Sequence, residues 1–378
     1  MKRLIQLPLS AALWAWLLCG LATAAFAAGF DSGSNGSYGP INVTAATTLD
    51  VPPDGIFHCT TITVAGGTLR FNRNALNTAV YLLATGDVLI NATINVSGGA
   101  SGGGSASAGG PGGFDGGFGG FGDSAPANRG GDGHGPGRGR NQAGFTHAAY
   151  AKAAASNSDV YGNVLIVPLI GGSGGAGSNG NPGDGGGGGG GAILIASNTR
   201  ITVNGNIISD GGSGAGWGSG GSIRLVAPTG GGGGGLYVRS SSLGGGASDG
   251  RIRIDTEDRL AFRNLILAGS STRGTRMFVF PPTTPKLHIV EAAGQVIPVG
   301  SASGVNIELP AGTPTSQTVR VRGEGFSGTV AVRLVVTPEH SASTVFDLTF
   351  NGSANPPEAS TTVILPVGEP TRIDAWAQ

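Results

Sequence analysis

Residues 171–212 decide the fold: GGSGGAGSNGNPGDGGGGGGG (171–191) runs directly into AILIASNTRITVNGNIISDGG (192–212). In the second half, apolar residues alternate with other residues in short runs that Gly, Asn and Asp interrupt. Alternation over so few residues is typical of short β-strands and not of helices. The segment therefore predicts a glycine-rich connection followed by strands separated by tight corners.

The same pattern recurs along the chain. Each copy begins with an apolar/other/apolar triplet and continues through a polar corner to a second apolar pair; the copies are 79–99, 191–212, 221–246 and 250–269. Repeats of about 20 residues are produced by stacked β-coils, which bury their apolar sides only by stacking. We expect an irregular right-handed parallel β-helix (solenoid) over residues 28–279, with Ile193, Ile223 and Ile252 one above another.

The N-terminus has the features of an export signal. Lys2 and Arg3 precede an apolar run at 11–21, and Ala25-Phe26-Ala27 forms a small-x-small cleavage site before Ala28. A membrane anchor is the alternative, but the run is shorter than the roughly 20 residues of a spanning helix. The sequence predicts a signal peptide at 1–27, a secreted or cell-surface location and no transmembrane segment after its removal.

Charge and cysteine content narrow the function classes. The chain has 22 basic and 22 acidic residues, and loss of Lys2 and Arg3 with the signal leaves a net charge of −2. Such a balance does not favour binding to nucleic acid. The mature chain keeps one cysteine, Cys59, within the alternating run IFHCTTITV. We expect this thiol to be a small buried hydrophobic group.

A long glycine-rich insertion, at about 98–190, separates the first repeat from the second. Its stretch GGDGHGPGRGR (130–140) offers Asp132 and His134 as metal ligands, but two ligands fall short of a coordination site. A solvated loop without metal or cofactor is therefore expected. Strong helix formers in HAAYAKAAA (147–155) predict a short helix that shields the β-coils.

Aromatic residues near this insertion are candidates for a binding surface. Tyr150, Tyr161 and Trp217 could form a carbohydrate-stacking or surface contact. The alternative is that these scattered rings complete an apolar core.

The composition changes after the proline cluster FPPTTP, whose residues 280–285 are expected to form a linker. Residues 286–378 are poorer in glycine and contain seven or eight short alternating segments separated by turn signals. This pattern is typical of an immunoglobulin-like β-sandwich, here without the cysteine pair of antibody domains.

The order of several stretches resembles a known group of proteins. GTLRFNRNALNTAVYLLATGDVLINATINVSGG, GPGGFDGG, YGNVLIVPLIGGSGGAG and GGGGGGGAILIASNTRITVNGNIISDGG are similar to glycine-rich secreted bacterial β-solenoid-like proteins of uncharacterised function, over residues 30–270. The resemblance implies an exported β-rich surface or matrix protein. It supplies no catalytic residue.

Two functional hypotheses follow. The first is a secreted, non-catalytic structural or adhesive protein of the cell surface or extracellular matrix, which contacts cell-envelope polysaccharide or its own copies. The alternative is a carbohydrate-active β-helix enzyme, a polysaccharide lyase or hydrolase, which needs carboxylates converging in one groove. Its candidate acids, Asp249, Asp255, Glu257 and Asp258, are expected at solvated corners, and the sequence indicates no catalytic residue.

Overall fold

A computed structural model describes residues 29–142, 144–240, 246–258, 260–300 and 304–378. Within these ranges the chain forms 23 β-strands and no helix, so the predicted all-β class is confirmed. The predicted signal peptide at 1–27, with its cleavage residues Ala25, Ala27 and Ala28, lies outside the described residues.

Sixteen strands precede the proline cluster, and most are short because Gly, Asn or Asp corners interrupt them. They are β1 (Gly39–Val43), β2 (Thr47–Asp50), β3 (Ile56–Val64), β4 (Thr68–Asn72), β5 (Val80–Ala84), β6 (Val88–Ile90), β7 (Thr93–Asn95), β8 (Ala192–Ser197), β9 (Arg200–Val203), β10 (Asn206–Ile208), β11 (Ser222–Val226), β12 (Thr229–Gly231), β13 (Gly235–Tyr237), β14 (Arg251–Asp255), β15 (Ile266–Ala268) and β16 (Ser270–Gly274).

These strands form two sheets in which every strand pair is parallel. Sheet I has the order β12-β9-β6-β3-β5-β8-β11-β14-β16, with β1 also paired to β3, and sheet II has the order β15-β13-β10-β7-β4-β2. Ile193 lies opposite Ile223, and Ile223 opposite Ile252, so the predicted stacking of these residues is confirmed.

The two parallel sheets enclose one apolar core. The alternating residues of each repeat point into it, including Ile193, Ile201 and Ile207 of a single repeat, all with no exposed surface. Cys59 is fully buried in the same core, as expected, and burial raises the pKa of its thiol to about 12. Because one repeat contributes only a few side chains, the core exists only where repeats stack.

The outer face of sheet I is also covered. Leu83, Leu194 and Val226 pack there against Val279 of the segment that follows β16. Asp255 lies on this side with no exposed surface, bonded to Arg224 at 3.2 Å and to Arg253 at 2.6 Å. The prediction that Asp255 occupies a solvated corner is therefore wrong. Period-2 alternation leaves the opposite face free for a second buried cluster, and two guanidinium groups compensate the carboxylate there.

The glycine-rich segments pack as a layer beside the sheets instead of forming solvated loops. This glycine layer comprises residues 96–122, 128–140, 171–191 and 209–221. In it, the N–H groups of Gly183, Gly186 and Gly189 donate to the carbonyls of Gly120, Gly117 and Phe114. A bond at every third residue indicates an extended helix with three residues per turn, the geometry of polyproline II and collagen chains.

The run 183–191 lies at the centre of this layer. It exchanges backbone hydrogen bonds with six neighbouring segments: 96–103, 107–110, 111–120, 172–178, 212–215 and 216–219. Six neighbours around one chain leave no room for side chains, and Gly185 to Gly191 are all buried. Lateral bonds satisfy backbone groups that an isolated extended chain would give to water.

The predicted helix at 147–155 is wrong. This stretch is irregular, and the N–H groups of Ala148 and Ala149 donate to the carbonyls of Trp217 and Gly137. Ala148, Ala149 and Tyr150 are fully buried. The segment thus extends the bonding of the glycine layer, and this tertiary pairing outweighs its intrinsic helix propensity.

The chain after the proline cluster forms seven antiparallel strands: β17 (Lys286–Ala292), β18 (Gln295–Val296), β19 (Ser316–Glu324), β20 (Thr329–Pro338), β21 (Thr344–Asn351), β22 (Glu358–Ile364) and β23 (Thr371–Ala377). One sheet has the order β18-β17-β19-β22 and the other β21-β20-β23. Both contribute to one apolar cluster, with Val319, Val321 and Val363 from the first and Val332 and Leu334 from the second.

Candidate functional site at the junction

The glycine layer meets the C-terminal sheets at a polar junction. Asp132 is 3% exposed and accepts hydrogen bonds from Arg129 at 2.8 Å and from the backbone N–H of Asn141 at 2.8 Å. Its second oxygen accepts from Ser343 Oγ at 2.6 Å and from Ser343 N at 3.1 Å. Both carboxylate oxygens are thus engaged by protein donors.

Arginines complete the junction on both sides of Asp132. Arg129 donates to the carbonyl of His340 at 2.9 Å, and Arg138, 2% exposed, donates to Ser343 Oγ at 3.0 Å. Burial lowers the pKa of the Arg138 guanidinium, although the nearby Asp132 opposes the shift. The expectation that 130–140 is a solvated loop is therefore wrong, because this stretch is held between two packed units.

Glycine allows the close approach that the junction requires. A Cβ at Gly131 would lie 2.3 Å from the carbonyl oxygen of Glu339. On the other side, Glu369 accepts hydrogen bonds from the backbone N–H groups of His340 and Ser341 and from Ser341 Oγ. Burial opposes ionisation of Glu369, but these hydrogen bonds outweigh it and lower its pKa.

A groove of about 920 Å³ opens beside this junction. A row of alternating charges lies along it: Arg73 contacts Asp115 at 2.6 Å, Arg372 contacts Asp115 at 3.5 Å, and Arg372 contacts Asp374 at 2.9 Å. The facing wall is apolar and includes Leu287. The groove thus combines paired charges with an apolar side.

The row of charges includes Asp374, whose surroundings shift the pKa of its carboxyl group. His134 Nδ1 lies 3.8 Å from Asp374 Oδ2, too far for a hydrogen bond, so Arg372 supplies the direct bond. Burial would raise the pKa of Asp374, but the neighbouring His134 and Arg372 outweigh burial and lower it. The carboxylate is therefore stabilised in its charged form.

A smaller cavity of about 450 Å³ adjoins the groove, since Leu76, Asn77 and Arg372 line both. Tyr81 and Phe114 add aromatic rings to its wall. The two cavities together offer an elongated, partly aromatic surface between the glycine layer, the parallel sheets and the C-terminal sheets.

The predicted aromatic contacts lie elsewhere. Tyr150 is fully buried, its ring stacks on Tyr161 at 4.4 Å between centroids, and its hydroxyl donates to the carbonyl of Ile170. Tyr161 donates its hydroxyl to the carbonyl of Gly171. Burial raises the pKa of both phenols. Tyr150 therefore packs the interior, whereas Tyr161 and Trp217 are half-buried, and Trp217 lies edge-on to His147.

The candidate acids of the enzyme hypothesis have separate surroundings. Asp249 pairs with Lys152 at 3.0 Å, while Asp255 is buried between two arginines. Glu257 and Asp258 are exposed. In the described ranges no group of three or more His, Cys, Asp or Glu side chains is placed to hold a metal ion.

The junction residues were not predicted, because glycine-rich stretches are typical of loops. A usable signal was present: glycine stands at 110, 113, 116, 119 and 122, a period of three. That period is typical of a close-packed extended helix. The pairing of Asp132 with Ser343, 211 residues apart, has no local sequence signal.

Comparison of the chain with protein-family models, with curated proteins and with solved structures finds no match. In the part of the chain that the structure describes, no helix has the length and hydropathy to span a membrane.

Proposed function

We propose that the protein is an exported, non-catalytic scaffold of the cell surface or extracellular matrix with an adhesive role. In this proposal residues 28–279 form a right-handed parallel β-helix with a packed glycine layer, and 286–378 form an immunoglobulin-like sandwich joined through 280–285. The observation that carries it is the bonding of the run 183–191 to six neighbouring segments. Such a layer is a stiff structural element, because each chain is fixed by backbone bonds on all sides.

The junction supports the same function. Asp132, Arg129 and Arg138 join the glycine layer to Ser343 and His340 of the C-terminal sheets through bonds that are largely shielded from water. Shielded charged hydrogen bonds resist separation more than exposed ones. The C-terminal unit is thus held at a defined angle, as a scaffold that presents a binding module requires.

Cell-envelope polysaccharide is the proposed partner. The groove and its smaller neighbour present Asn77, Arg73 and Arg372 beside the rings of Tyr81 and Phe114. Planar polar groups beside aromatic faces suit the alternating hydroxyl and C–H surfaces of a sugar chain. A net charge of −2 for the mature chain favours a partner recognised by shape and hydrogen bonds instead of bulk charge.

A binding assay with a catalytic readout tests this function. Mature protein (28–378) is incubated with isolated cell envelope and with a panel of insoluble polysaccharides, and sedimented protein and released reducing sugar are both measured. We expect sedimentation without sugar release. Release that grows with time would support the lyase or hydrolase alternative, and absence of binding throughout the panel would contradict the adhesive role.

Substitutions in the two cavities test whether the polysaccharide binds there. Phe114→Ala and Arg73→Ala alter the two cavities, and Tyr38→Ala, at an exposed ring outside both, serves as control. If the groove binds sugar, the first two weaken sedimentation several-fold and the control does not.

Export is tested separately. We expect the chain to be secreted by a bacterial host and to begin at Ala28, as N-terminal sequencing of the exported form would show. An unprocessed, cell-retained chain would contradict the predicted signal peptide.

A further inference from the structure

At both ends of the parallel sheets the last strand is paired on one side and has an open edge on the other. β16 ends sheet I and β15 ends sheet II on one side of the molecule, while β2 ends sheet II on the other. The end with β15 and β16 is called the C-end below, and the end with β2 the N-end. Open edges of this kind are templates for pairing with another chain.

The backbone groups on these edges point outward. Ile266 donates its N–H to Gly234 on the inner side, so by alternation Leu267 directs its N–H to the open edge of β15. At the N-end, Val51 donates to Asn72, so Thr48 and Asp50 direct their N–H groups outward from β2. Among the described residues no backbone partner pairs with these outward groups.

The side chains of the two ends are complementary. The C-end exposes Leu260 (68%) and Ile266 (57%), and the N-end exposes the Tyr38 ring (48%). Residues 38–55 contain Asp50 and Asp54 and no basic residue, whereas 260–276 contain Arg263, Arg273 and Arg276 and no acid. All five of these charged side chains belong to exposed residues. The acids Glu257 and Asp258 lie just before the second range and reduce, but do not cancel, its positive charge.

We propose that a second copy of this chain binds end to end, its N-end edge β2 adding to the C-end edge β15 and continuing the parallel stack. The interface is heterologous, because two different surfaces meet, and repetition of the contact builds a filament. Backbone bonds between strand edges supply affinity, and the acidic and basic ends select the head-to-tail orientation. This inference rests on the strand edges and does not depend on polysaccharide binding.

Complementary end-blocking variants of the mature chain (28–378) test the contact. Thr48→Pro removes an outward N–H from β2 at the N-end, and Leu267→Pro removes one from β15 at the C-end; proline is tolerated at edge strands. Thr48→Ala and Leu267→Ala keep the N–H and serve as controls. Sedimentation velocity over a hundredfold range of protein concentration measures assembly.

We expect wild type and both alanine controls to form concentration-dependent oligomers that weaken in 1 M salt. Each proline variant alone should be monomeric, since one of its two ends is blocked, and an equimolar mixture should stop at the dimer. Wild type that stays monomeric at all concentrations would overturn the proposal. Dimers formed by one proline variant alone would replace it with a symmetric contact.

Folding of the variants is checked by thermal unfolding. If a proline variant melts far below wild type, Thr48→Lys and Ile266→Lys replace it, because these positions are exposed and a lysine on an edge blocks pairing. The lysine variants must then give the same result: each is monomeric alone, and an equimolar mixture of the two forms dimers.

Discussion

At the scale of single residues, the packing of the glycine layer depends on glycines that have no room for a side chain. A Cβ at Gly189 would lie 2.0 Å from the carbonyl oxygen of Gly172, and one at Gly187 2.1 Å from that of Gly212. These neighbours are backbone atoms held by hydrogen bonds, so they cannot move aside cheaply. Glycine is required here by close approach of chains and not by turn geometry.

We therefore expect Gly189→Ala to lower the free energy of unfolding by about 3 kcal/mol or more, at or beyond the upper end of overpacking effects. Gly102→Ala, at an exposed position in the same layer with nothing within 4 Å, should change it by less than about 0.5 kcal/mol. Denaturant unfolding of both variants makes the comparison. Equal stabilities of the Gly189→Ala and Gly102→Ala variants would show that the layer is loosely packed.

A second prediction at this scale concerns Asp255. Asp255→Asn leaves Arg224 and Arg253 buried without their common carboxylate, so we expect a loss of about 3–5 kcal/mol. Asp347→Asn removes an exposed pair with Arg333 and should cost less than about 1 kcal/mol. Denaturant midpoints of the two variants measure the difference, and a cost for Asp255→Asn as small as that of the control would contradict this account.

At the scale of elements, strand and glycine segments differ in how their position along the chain is determined. The strands of the repeats have one register, because a shift by one residue would turn their apolar side chains outward. The run 185–191 is uniform glycine and can slide without changing its contacts. Its position is set at the ends, where Ala192 donates to Pro111 and Asp184 stands before the first glycine.

This difference predicts that adding one glycine to the run and deleting one from it have unequal effects on stability. One glycine added after Gly188 lets the run slide and leaves the surplus residue beside the exposed Asp184, so that Asp184 does not enter the place of the buried Gly183. Stability should therefore change by less than about 1 kcal/mol. Deleting Gly188 pulls Asp184 into the place of Gly185, where a Cβ would lie 2.0 Å from the carbonyl of Ser105. We expect the deletion to unfold the layer, as thermal melting and amide exchange would show. Equal effects of the two changes would mean that the run is not packed as described.

Strand positions could be predicted from the sequence, and the short helix could not be rejected from it. Period-2 alternation located the strands around Ile193, Ile223 and Ile252 because burial of one face is a local requirement. The alanines at 148 and 149 carry a helix propensity that is equally local. Their actual partners, Trp217 and Gly137, are distant in sequence, so propensity alone predicted the wrong structure.

At the scale of the whole molecule, several carboxylates lie where the two units meet. Asp132 bonds across the junction to Ser343, whereas Glu369 and Asp374 make their direct bonds within the C-terminal unit. Asp374 and Glu369 both lie at the junction between the glycine layer and the C-terminal sheets, and the pKa of each is lowered in the folded protein. A carboxylate with a lowered pKa stabilises the folded state at pH values above the pKa of the unfolded group, which is about 4. That contribution is lost as the pH falls from about 4 through the folded pKa.

We therefore expect the melting temperature to be nearly constant from pH 7 to about 5 and to fall below pH 4. The double variant Asp374→Asn, Glu369→Gln should melt lower at pH 7 and show a shallower fall in acid. Calorimetry at a series of pH values measures both curves. Parallel curves for variant and wild type would indicate that other carboxylates control acid unfolding.

The sequence by itself determined the all-β class, the parallel stacking of the repeats and the burial of Cys59. These depend on which residues are apolar and on their spacing within a few positions. Only the tertiary structure decided that the glycine segments pack into a layer, that Asp255 and Asp132 are buried, and that 147–155 is not a helix. The reason is physical: a backbone without side chains has no local pattern of burial, and its hydrogen bonds are made with segments far away in the chain.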